Sequence, residues 1–195
     1  EQKKRGLIKH VMVKRSRVLN ETMVIIVTTE KVFPGSNNFI KALLARCKEI
    51  TTIIQNINSR KTSIVLGEKE KVLFGKPYIE DKLMGLTFKI TSKSFYQVNP
   101  KQTELLYQEV VNSLDIKKDD LIIDAYSGIG TIGMILSKNA SEVISVENNT
   151  QAYKAAIMNA RDNNIKNIHF INADATEFIN EMALDNERCI PTEKS

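Results

Sequence analysis

The fold is indicated most clearly by one segment, Leu121-Ile-Ile-Asp-Ala-Tyr-Ser-Gly-Ile-Gly-Thr-Ile-Gly133. Its apolar beginning predicts a buried strand, its glycines a tight turn, and the residues after them a helix. The next two apolar runs each end in an acid, at Glu147 and Asp174. Because neighbouring parallel strands end at the same edge of a sheet, Asp124, Glu147 and Asp174 are predicted to line one pocket for a nucleoside-containing cofactor.

The glycine turn leaves the cofactor open. Through Gly128, Gly130 and Gly133 it fits G-x-G-x-x-G, the fingerprint of dinucleotide sites. A dinucleotide would rest its pyrophosphate on the turn, where the carboxylate of Asp124 would repel two negative charges. S-adenosylmethionine carries no phosphate, and its ammonium and sulfonium are cationic, so nearby acids attract it. With this predicted cofactor, Asp124 lies near the amino-acid end, Glu147 bridges the ribose hydroxyls and Asp174 reaches the adenine. A nicotinamide dinucleotide is the alternative.

The second half of the chain alternates strands and helices, which predicts an α/β fold with a doubly wound, Rossmann-like sheet. Asn99 and Pro100 are typical of the N-cap and the first position of a helix. The predicted order is helix 100–113, strand 121–125, helix 131–138, strand 142–147, helix 150–163, strand 167–172 and helix 176–182. The first of these helices is expected to bury Leu105, Leu106, Val110 and Leu114.

The first half is predicted to be a separate, small α+β unit. Glycines at 67, 75 and 85 indicate turns between short β-branched runs. The predicted strands are 6–13, 22–28, 50–57, 63–66, 71–74 and 86–90, with a helix at 39–49 after a loop at 33–38. We therefore expect two domains, at 1–92 and 93–195.

Charge divides the chain in the same way. Residues 1–101 contain 20 Lys and Arg against 8 Asp and Glu, a balance of +12, whereas residues 102–195 contain 8 against 15, a balance of −7. The basic cluster Lys14-Arg15-Ser16-Arg17 lies in the first half. This concentration predicts a polyanionic partner, and nucleic acid is the most plausible one.

The remaining composition points to a cytoplasmic protein without a membrane partner. No apolar run reaches the 18 or more residues of a membrane span, and the N-terminus lacks the apolar core of a signal peptide. The two cysteines, Cys47 and Cys189, fit neither a disulfide framework nor a metal site. Cys47 is expected to pack on one face of the predicted helix.

Three motifs, in this order and spacing, resemble the RNA uracil-C5 methyltransferase family. They are Ser94-Phe-Tyr-Gln-Val-Asn-Pro100, Asp124-Ala-Tyr-Ser-Gly-Ile-Gly-Thr-Ile-Gly133, and Val146-Glu-Asn-Asn149 with Ala156-Ile-Met-Asn-Ala160 and Asn163. The resemblance runs through almost the whole chain, is closest to the bacterial ribosomal-RNA members, and likens the basic half to that family's central RNA-contacting domain. It implies S-adenosylmethionine-dependent methylation of uracil C5 in RNA, and it favours ribosomal over transfer RNA.

The resemblance also implies roles for individual residues. Gln97, Tyr126 and Thr131 would contact the cofactor, and Glu147 would bind its ribose. Phe95 would stack on the flipped target base. The expected cofactor-binding residues are Gln97, Asp124, Tyr126, Gly128, Gly130, Thr131, Glu147 and Asp174, and the expected RNA-binding residues are Lys14, Arg15, Arg17 and Phe95.

The chain departs from the family at the catalytic residues. Members add a cysteine thiolate to uracil C6, which makes C5 nucleophilic, and a carboxylate then removes the C5 proton. Their cysteine lies in an Asp-Pro-Pro-Arg-x-Gly-Cys segment that this sequence does not contain, and neither Cys189 nor Cys47 has a comparable context. The family's N-terminal oligonucleotide-binding-type domain and iron–sulfur cysteines are missing as well.

We therefore expect a fragment that keeps the cofactor pocket but has no catalytic residues of its own. An incomplete sheet would leave an open edge, through which two copies could associate. An RNA-binding module without chemistry and, less favoured, a nicotinamide-dependent oxidoreductase are the alternative functions.

Overall fold

The computed structural model describes residues 6–189, with side chains described through residue 184. The chain forms two compact units. The first runs to Lys82 and includes Thr87–Lys93, and the second comprises Leu83–Leu86 and continues from Ser94. In the described part of the chain, no helix is long and apolar enough to cross a membrane.

The first unit is built on a four-stranded sheet in the order β1-β2-β3-β4. Its elements are β1 (Ile8–Ser16), β2 (Glu21–Thr28), α1 (Ser36–Arg46), β3 (Ile50–Ile57) and β4 (Lys69–Phe74). The β1–β2 and β3–β4 pairs are antiparallel, whereas β2 and β3 are parallel and α1 connects them. A hairpin of β5 (Tyr78–Leu83) and β6 (Leu86–Thr91) follows.

The core of the first unit lies between α1 and the sheet. Ile40 from the helix is buried against Val24, Ile26 and Ile53 from the two central strands. Full burial of an aliphatic side chain of this size contributes about 1.5–3 kcal/mol. Cys47, at the end of α1, is partly buried against the same cluster, which confirms the expectation that it packs.

Helix α1 begins and ends three residues earlier than the predicted helix 39–49, so the predicted loop 33–38 is shorter. Two further sequence predictions fail in this unit. Residues 63–66 do not form a strand, because the carbonyl groups of Ile64 and Val65 accept hydrogen bonds from the Asn58 side chain. Strand β5 was not predicted, because Asp81 interrupts its apolar alternation. Asp81 is nevertheless buried, and it accepts a hydrogen bond from the hydroxyl of Ser16, 65 residues away.

The second unit contains a parallel sheet in the order β7-β8-β9. Its elements are α2 (Pro100–Ser113), β7 (Leu121–Ala125), α3 (Thr131–Leu136), β8 (Glu142–Val146), α4 (Thr150–Asp162), β9 (Ile168–Ile171) and α5 (Ala175–Cys189). Both strand pairs are parallel, and β8 is central. The predicted α/β class is confirmed, and helix α5 continues seven residues beyond its predicted end at Met182.

Helix α2 begins as predicted but buries a different face. The Asn99 side chain caps it by accepting from the backbone N–H of Gln102. The buried residues are Thr103 and Tyr107, rather than the predicted leucines. Leu105, Leu106 and Leu114 are 61%, 55% and 45% exposed, and Val110 is half-buried. The apolar residues therefore do not mark the buried face of this helix. The buried positions carry hydroxyl groups, and those of Thr103 and Tyr107 lie within hydrogen-bond distance of Asn99 and Thr131.

Candidate cofactor site

A cleft of about 200 Å³ lies beside the carboxyl end of β7, between the glycine turn and the start of α2. Parallel strands present their carboxyl ends to ligands, so this is the position expected for a cofactor. Six predicted site residues line the cleft, namely Phe95, Gln97, Asp124, Tyr126, Gly128 and Thr131. Gly130, Glu147 and Asp174 are near this edge of the sheet but are not part of the lining.

The turn between β7 and α3 has an unusual backbone. Gly128 and Gly130 have φ values of 59° and 82°, which lie in the left-handed region. A Cβ at Gly128 would meet no atom within 4 Å, so this part of the turn faces open space. A Cβ at Gly130 would approach Met134 at 2.7 Å, so Gly130 lies on the packed side. Tyr126 also has a positive φ, 59°, which costs a residue other than glycine about 1–2 kcal/mol.

Asp124 is hydrogen-bonded to the backbone of the segment that follows the glycine turn. Its Oδ2 accepts a hydrogen bond from the backbone N–H of Gly133 at 2.9 Å and lies 3.5 Å from the hydroxyl of Ser145. Burial raises the pKa of Asp124 to about 6, and the negative charge of Glu147 acts in the same direction. The two hydrogen bonds lower the pKa and offset only part of this effect. Asp124 therefore both organises the turn and presents a carboxyl group to the cleft.

Glu147 follows β8 and is bonded to the turn. Its Oε2 accepts from the N–H of Gly128 at 2.8 Å, and its Oε1 accepts from the N–H of Asn149 at 2.7 Å. The side chain of Asn172 holds the backbone here, because it donates to the carbonyl groups of Glu147 and Asn148 at 2.7 and 3.1 Å. This arrangement places a carboxylate beside the glycine turn with a defined orientation.

Asp174 follows β9 and caps helix α5. Its Oδ1 accepts from the N–H groups of Thr176 and Glu177 at 2.9 and 3.2 Å. The hydroxyl of Thr176 is in turn 2.8 Å from the hydroxyl of Tyr126. Asp124 thus lies at the end of β7, whereas Glu147 and Asp174 follow β8 and β9; each accepts at least one backbone hydrogen bond, and only Asp124 lines the cleft.

Sequence reasoning did not identify several polar groups of the cleft. Thr103, Tyr107 and Ser127 all line it. The Tyr107 hydroxyl lies 3.4 Å from the hydroxyl of Thr131, and the buried hydroxyl of Ser127 has no hydrogen-bond partner among the described residues. Asn99 and Pro100 predict where α2 begins, but they do not predict that Thr103 and Tyr107 are its buried residues.

These features fit S-adenosylmethionine. An unpartnered hydroxyl inside the cleft needs a polar ligand group, because burying it unpaired is unfavourable. The open side of Gly128 leaves room for a ligand against the backbone. Asp124 and Glu147 add negative charge, which suits a cationic ligand better than a diphosphate.

The predicted RNA-binding cations lie in the first unit and differ in environment. Arg15 and Arg17 are exposed. Lys14 is partly buried, and its ammonium donates to the carbonyl of Thr91 at 2.9 Å. Burial lowers the pKa of Lys14 to about 8, although Glu70 acts in the opposite direction. Arg15 and Arg17 are therefore the more accessible of the three.

The parallel sheet, its glycine turn and the acids after successive strands define the class of Rossmann-like methyltransferases. Residues 36–190 match the family described as tRNA (uracil-5-)-methyltransferase, and the chain belongs to this family. This confirms the resemblance seen in the three motifs and argues against the nicotinamide-dependent alternative.

Relatives of similar sequence are RNA methyltransferases. An uncharacterized RNA methyltransferase of Oceanobacillus iheyensis is 41% identical over 170 residues, which cover 87% of this chain and 37% of the relative. One from Clostridium tetani is 39% identical over 182 residues, covering 93% of this chain and 40% of the relative. The chain thus spans about two fifths of the length of these relatives.

Solved structures agree with these matches. The tRNA (uracil-54, C5)-methyltransferase of Pyrococcus abyssi, in complex with S-adenosyl-L-homocysteine, has a TM-score of 0.72 and 27% identity. The match covers 87% of this chain and 40% of that one. A tRNA m1G37 methyltransferase of M. jannaschii shares the fold at a TM-score of 0.51 and 16% identity. The family match and the neighbour in complex with S-adenosyl-L-homocysteine confirm the prediction that the cofactor is S-adenosylmethionine.

Proposed function

We propose that this chain is the cofactor-binding part, with an RNA-contacting unit, of an enzyme that methylates C5 of uracil in RNA. The cleft beside the glycine turn carries this proposal, since it brings Gln97, Tyr126 and Thr131 together beside the exposed ring of Phe95. In this site S-adenosylmethionine would supply an electrophilic methyl group. The residues of the chain would bind and orient it.

We propose that residues at the ends of different strands bind different parts of the cofactor. Asp124 and Gln97 would bind its amino-acid portion, and Tyr126 and Thr131 would line the cleft around it. Glu147 would accept hydrogen bonds from the ribose hydroxyls, and its attachment to Gly128 supports this role because the carboxylate is already oriented. Asp174 would reach the adenine, and Gly128 and Gly130 would allow the close approach of the turn.

RNA would meet this site at Phe95. The ring is 77% exposed, so one aromatic face is accessible to an unstacked base. Arg15 and Arg17, with a smaller contribution from the internally bonded Lys14, would contact phosphates in the first unit. We propose ribosomal RNA as the substrate class on the strength of the motif resemblance. The Pyrococcus abyssi relative is a tRNA enzyme, so both RNA types belong in the test.

We propose that the 195-residue chain does not transfer a methyl group by itself. Cys47 is the C-cap of helix α1 and packs against the core of the first unit. The side chain of Cys189 lies outside the described residues, and its sequence context lacks the family's Asp-Pro-Pro segment. The nucleophile and the general base would come from protein outside this sequence.

Two measurements on the same preparation test the proposal. Calorimetry should detect binding of S-adenosyl-L-homocysteine, and the labelled methyl group of S-adenosylmethionine should not appear in ribosomal or transfer RNA. Absence of binding would refute the cofactor site and favour an RNA-binding module. Methylation of RNA by the chain alone would instead show that one of its own residues acts as the nucleophile.

The edge of the parallel sheet supports a proposal on self-association. Strand β7 pairs only with β8 among the described residues, and its Leu121 and Ile123 are 50% and 38% exposed. Unpaired edge strands pair readily with other strands. A dimer should therefore form through β7 as concentration rises, whereas light scattering that shows a monomer throughout would refute this association.

A further inference from the structure

A second cavity lies in the first unit, at the end of the four-stranded sheet where β2 and β3 finish. It is an open groove of about 780 Å³. Four basic residues line it, namely Lys31, Arg60, Lys69 and Lys71. We call this the lysine groove. It is remote from Arg15. Arg15 pairs with Thr22 at the start of β2, and Thr28 at the end of that strand is six residue steps further along, or about 20 Å.

The wall of the lysine groove is a fixed loop, residues 58–67. The side chain of Asn58, 1% exposed, donates to the carbonyl groups of Ile64 and Val65 and accepts from the N–H of Arg60. At the end of the loop, a Cβ on Gly67 would lie 1.9 Å from the carbonyl oxygen of Ile57, so the backbones are in close contact. The groove is therefore formed before any ligand binds, which reduces the entropy lost on binding.

The acidic residues of the groove have partners within the chain, whereas three of its lysines form no salt bridge among residues 6–184. Glu70 is bound internally, because it accepts from Asn56 at 2.8 Å and from the hydroxyl of Ser92 at 2.6 Å. Glu68 lies 3.7 Å from the ammonium of Lys93 and 4.0 Å from the guanidinium of Arg60. Lys31, Lys69 and Lys71 are exposed, and none of them forms a salt bridge within residues 6–184.

The register of β4 against β3 places Lys69 and Lys71 on one face of the sheet and Glu70 on the other. Glu70 lies opposite Asn56 on β3, and Lys69 and Lys71 lie opposite Ile57 and Gln55. Side chains alternate between the two faces of a strand, so the lysines share one face and Glu70 occupies the other. Glu68 and Glu70 also line the groove, so its four basic residues exceed its acidic residues by two.

We propose that the lysine groove binds the phosphodiester backbone of RNA, as a contact separate from Arg15 and Arg17. This inference rests on the proposed function, which makes RNA the substrate. A rigid groove whose three ammonium groups form no salt bridge among residues 6–184 suits a chain of phosphates, because each ammonium can replace condensed counterions.

The test is the affinity of the chain for a fluorescently labelled single-stranded oligouridine at several salt concentrations. The variant K69Q/K71Q keeps the aliphatic stems and removes two charges. We expect about 10-fold weaker binding and a salt slope smaller by about 1.4, since each phosphate contact on a single strand contributes about 0.7. The matched control is K41Q/K48Q, which removes two exposed lysines outside the groove and should bind almost as the wild type does.

The outcomes separate this inference from the proposed function. Unchanged affinity and slope in K69Q/K71Q, with normal RNA binding by the wild type, would overturn the lysine groove and leave the proposed function intact. Equal losses in both lysine pairs would also overturn it, because binding would then follow net charge. Failure of the wild type to bind RNA would overturn both. Circular dichroism and thermal unfolding like those of the wild type confirm that each variant is folded.

Discussion

The carboxylate of Glu147 accepts a hydrogen bond from the backbone N–H of Gly128, with 2.8 Å between Oε2 and N. The bond joins the end of β8 to the turn after β7, so it links two adjacent strand ends. Asn149 donates to the other carboxylate oxygen. Ribose hydroxyls are donors too, and a carboxylate can accept more than two hydrogen bonds. The ligand and the turn can therefore share this group.

Replacing Glu147 with Gln should weaken binding of S-adenosyl-L-homocysteine by roughly 10- to 100-fold. The reason is the loss of charge-assisted hydrogen bonds, which contribute about 1.5–3 kcal/mol. Titration calorimetry measures the effect, and Glu109→Gln on exposed α2 is the matched control. Equal affinities for the two variants would remove Glu147 from the site.

Asp124 should make the stability of the protein depend on pH between about 4 and 6. Its pKa rises from 3.8 to about 6 on folding, so in this window the folded state binds more protons than the unfolded state. The free energy of unfolding therefore falls as pH rises through the window, by up to about 3 kcal/mol. Above pH 6 the loss is complete.

The variant Asp124→Asn isolates this effect, because it keeps an acceptor for the N–H of Gly133 but does not ionise. Urea unfolding at pH 7.5 should show it to be more stable than the wild type by about 1–3 kcal/mol, and the difference should vanish near pH 4. Asp115→Asn, at an exposed position, should show neither change. A variant less stable than the wild type at pH 7.5 would contradict the proposed cost of ionisation.

Gly133→Ala should destabilise the second unit by about 1–3 kcal/mol, although alanine favours helices. An added Cβ would lie 2.7 Å from Oδ2 of Asp124 and 2.6 Å from the hydroxyl of Ser145. Thermal unfolding measures the loss. Ser145→Ala in the same chain should recover part of it by removing one of the two close atoms, and a strictly additive double variant would argue against this contact.

Asn172→Ala should lower cofactor affinity by about 10-fold with a smaller effect on folding. Asn172 does not line the cleft, but its side chain fixes the carbonyl groups of Glu147 and Asn148. Loss of such positioning should reduce the preference for adenosine over 2′-deoxyadenosine, as Glu147→Gln should. Asn180→Ala on exposed α5 is the control. An unchanged preference would mean that Asn172 has only a structural role.

The sequence predicted the strands and helices well where one pattern dominates. Helix 100–113, strand 50–57 and strand 121–125 have the predicted bounds, because a capping pair begins the helix and each strand is rich in β-branched residues. Prediction failed where a distant partner overrides the local pattern. Asp81 is buried in β5 because Ser16 donates to it, and residues 63–66 stay irregular because Asn58 binds their carbonyl groups.

The sequence by itself determined the class of the protein, since glycines and acids at fixed spacing along alternating strands and helices already indicate a methyltransferase sheet. Only the tertiary structure decided which atoms those residues use. It directs Asp124 beneath the turn, ties Glu147 to Gly128 and makes Asp174 a helix cap. The physical reason is that spacing along the chain specifies which strand ends meet, whereas hydrogen-bond partners depend on backbone groups brought together from separate segments.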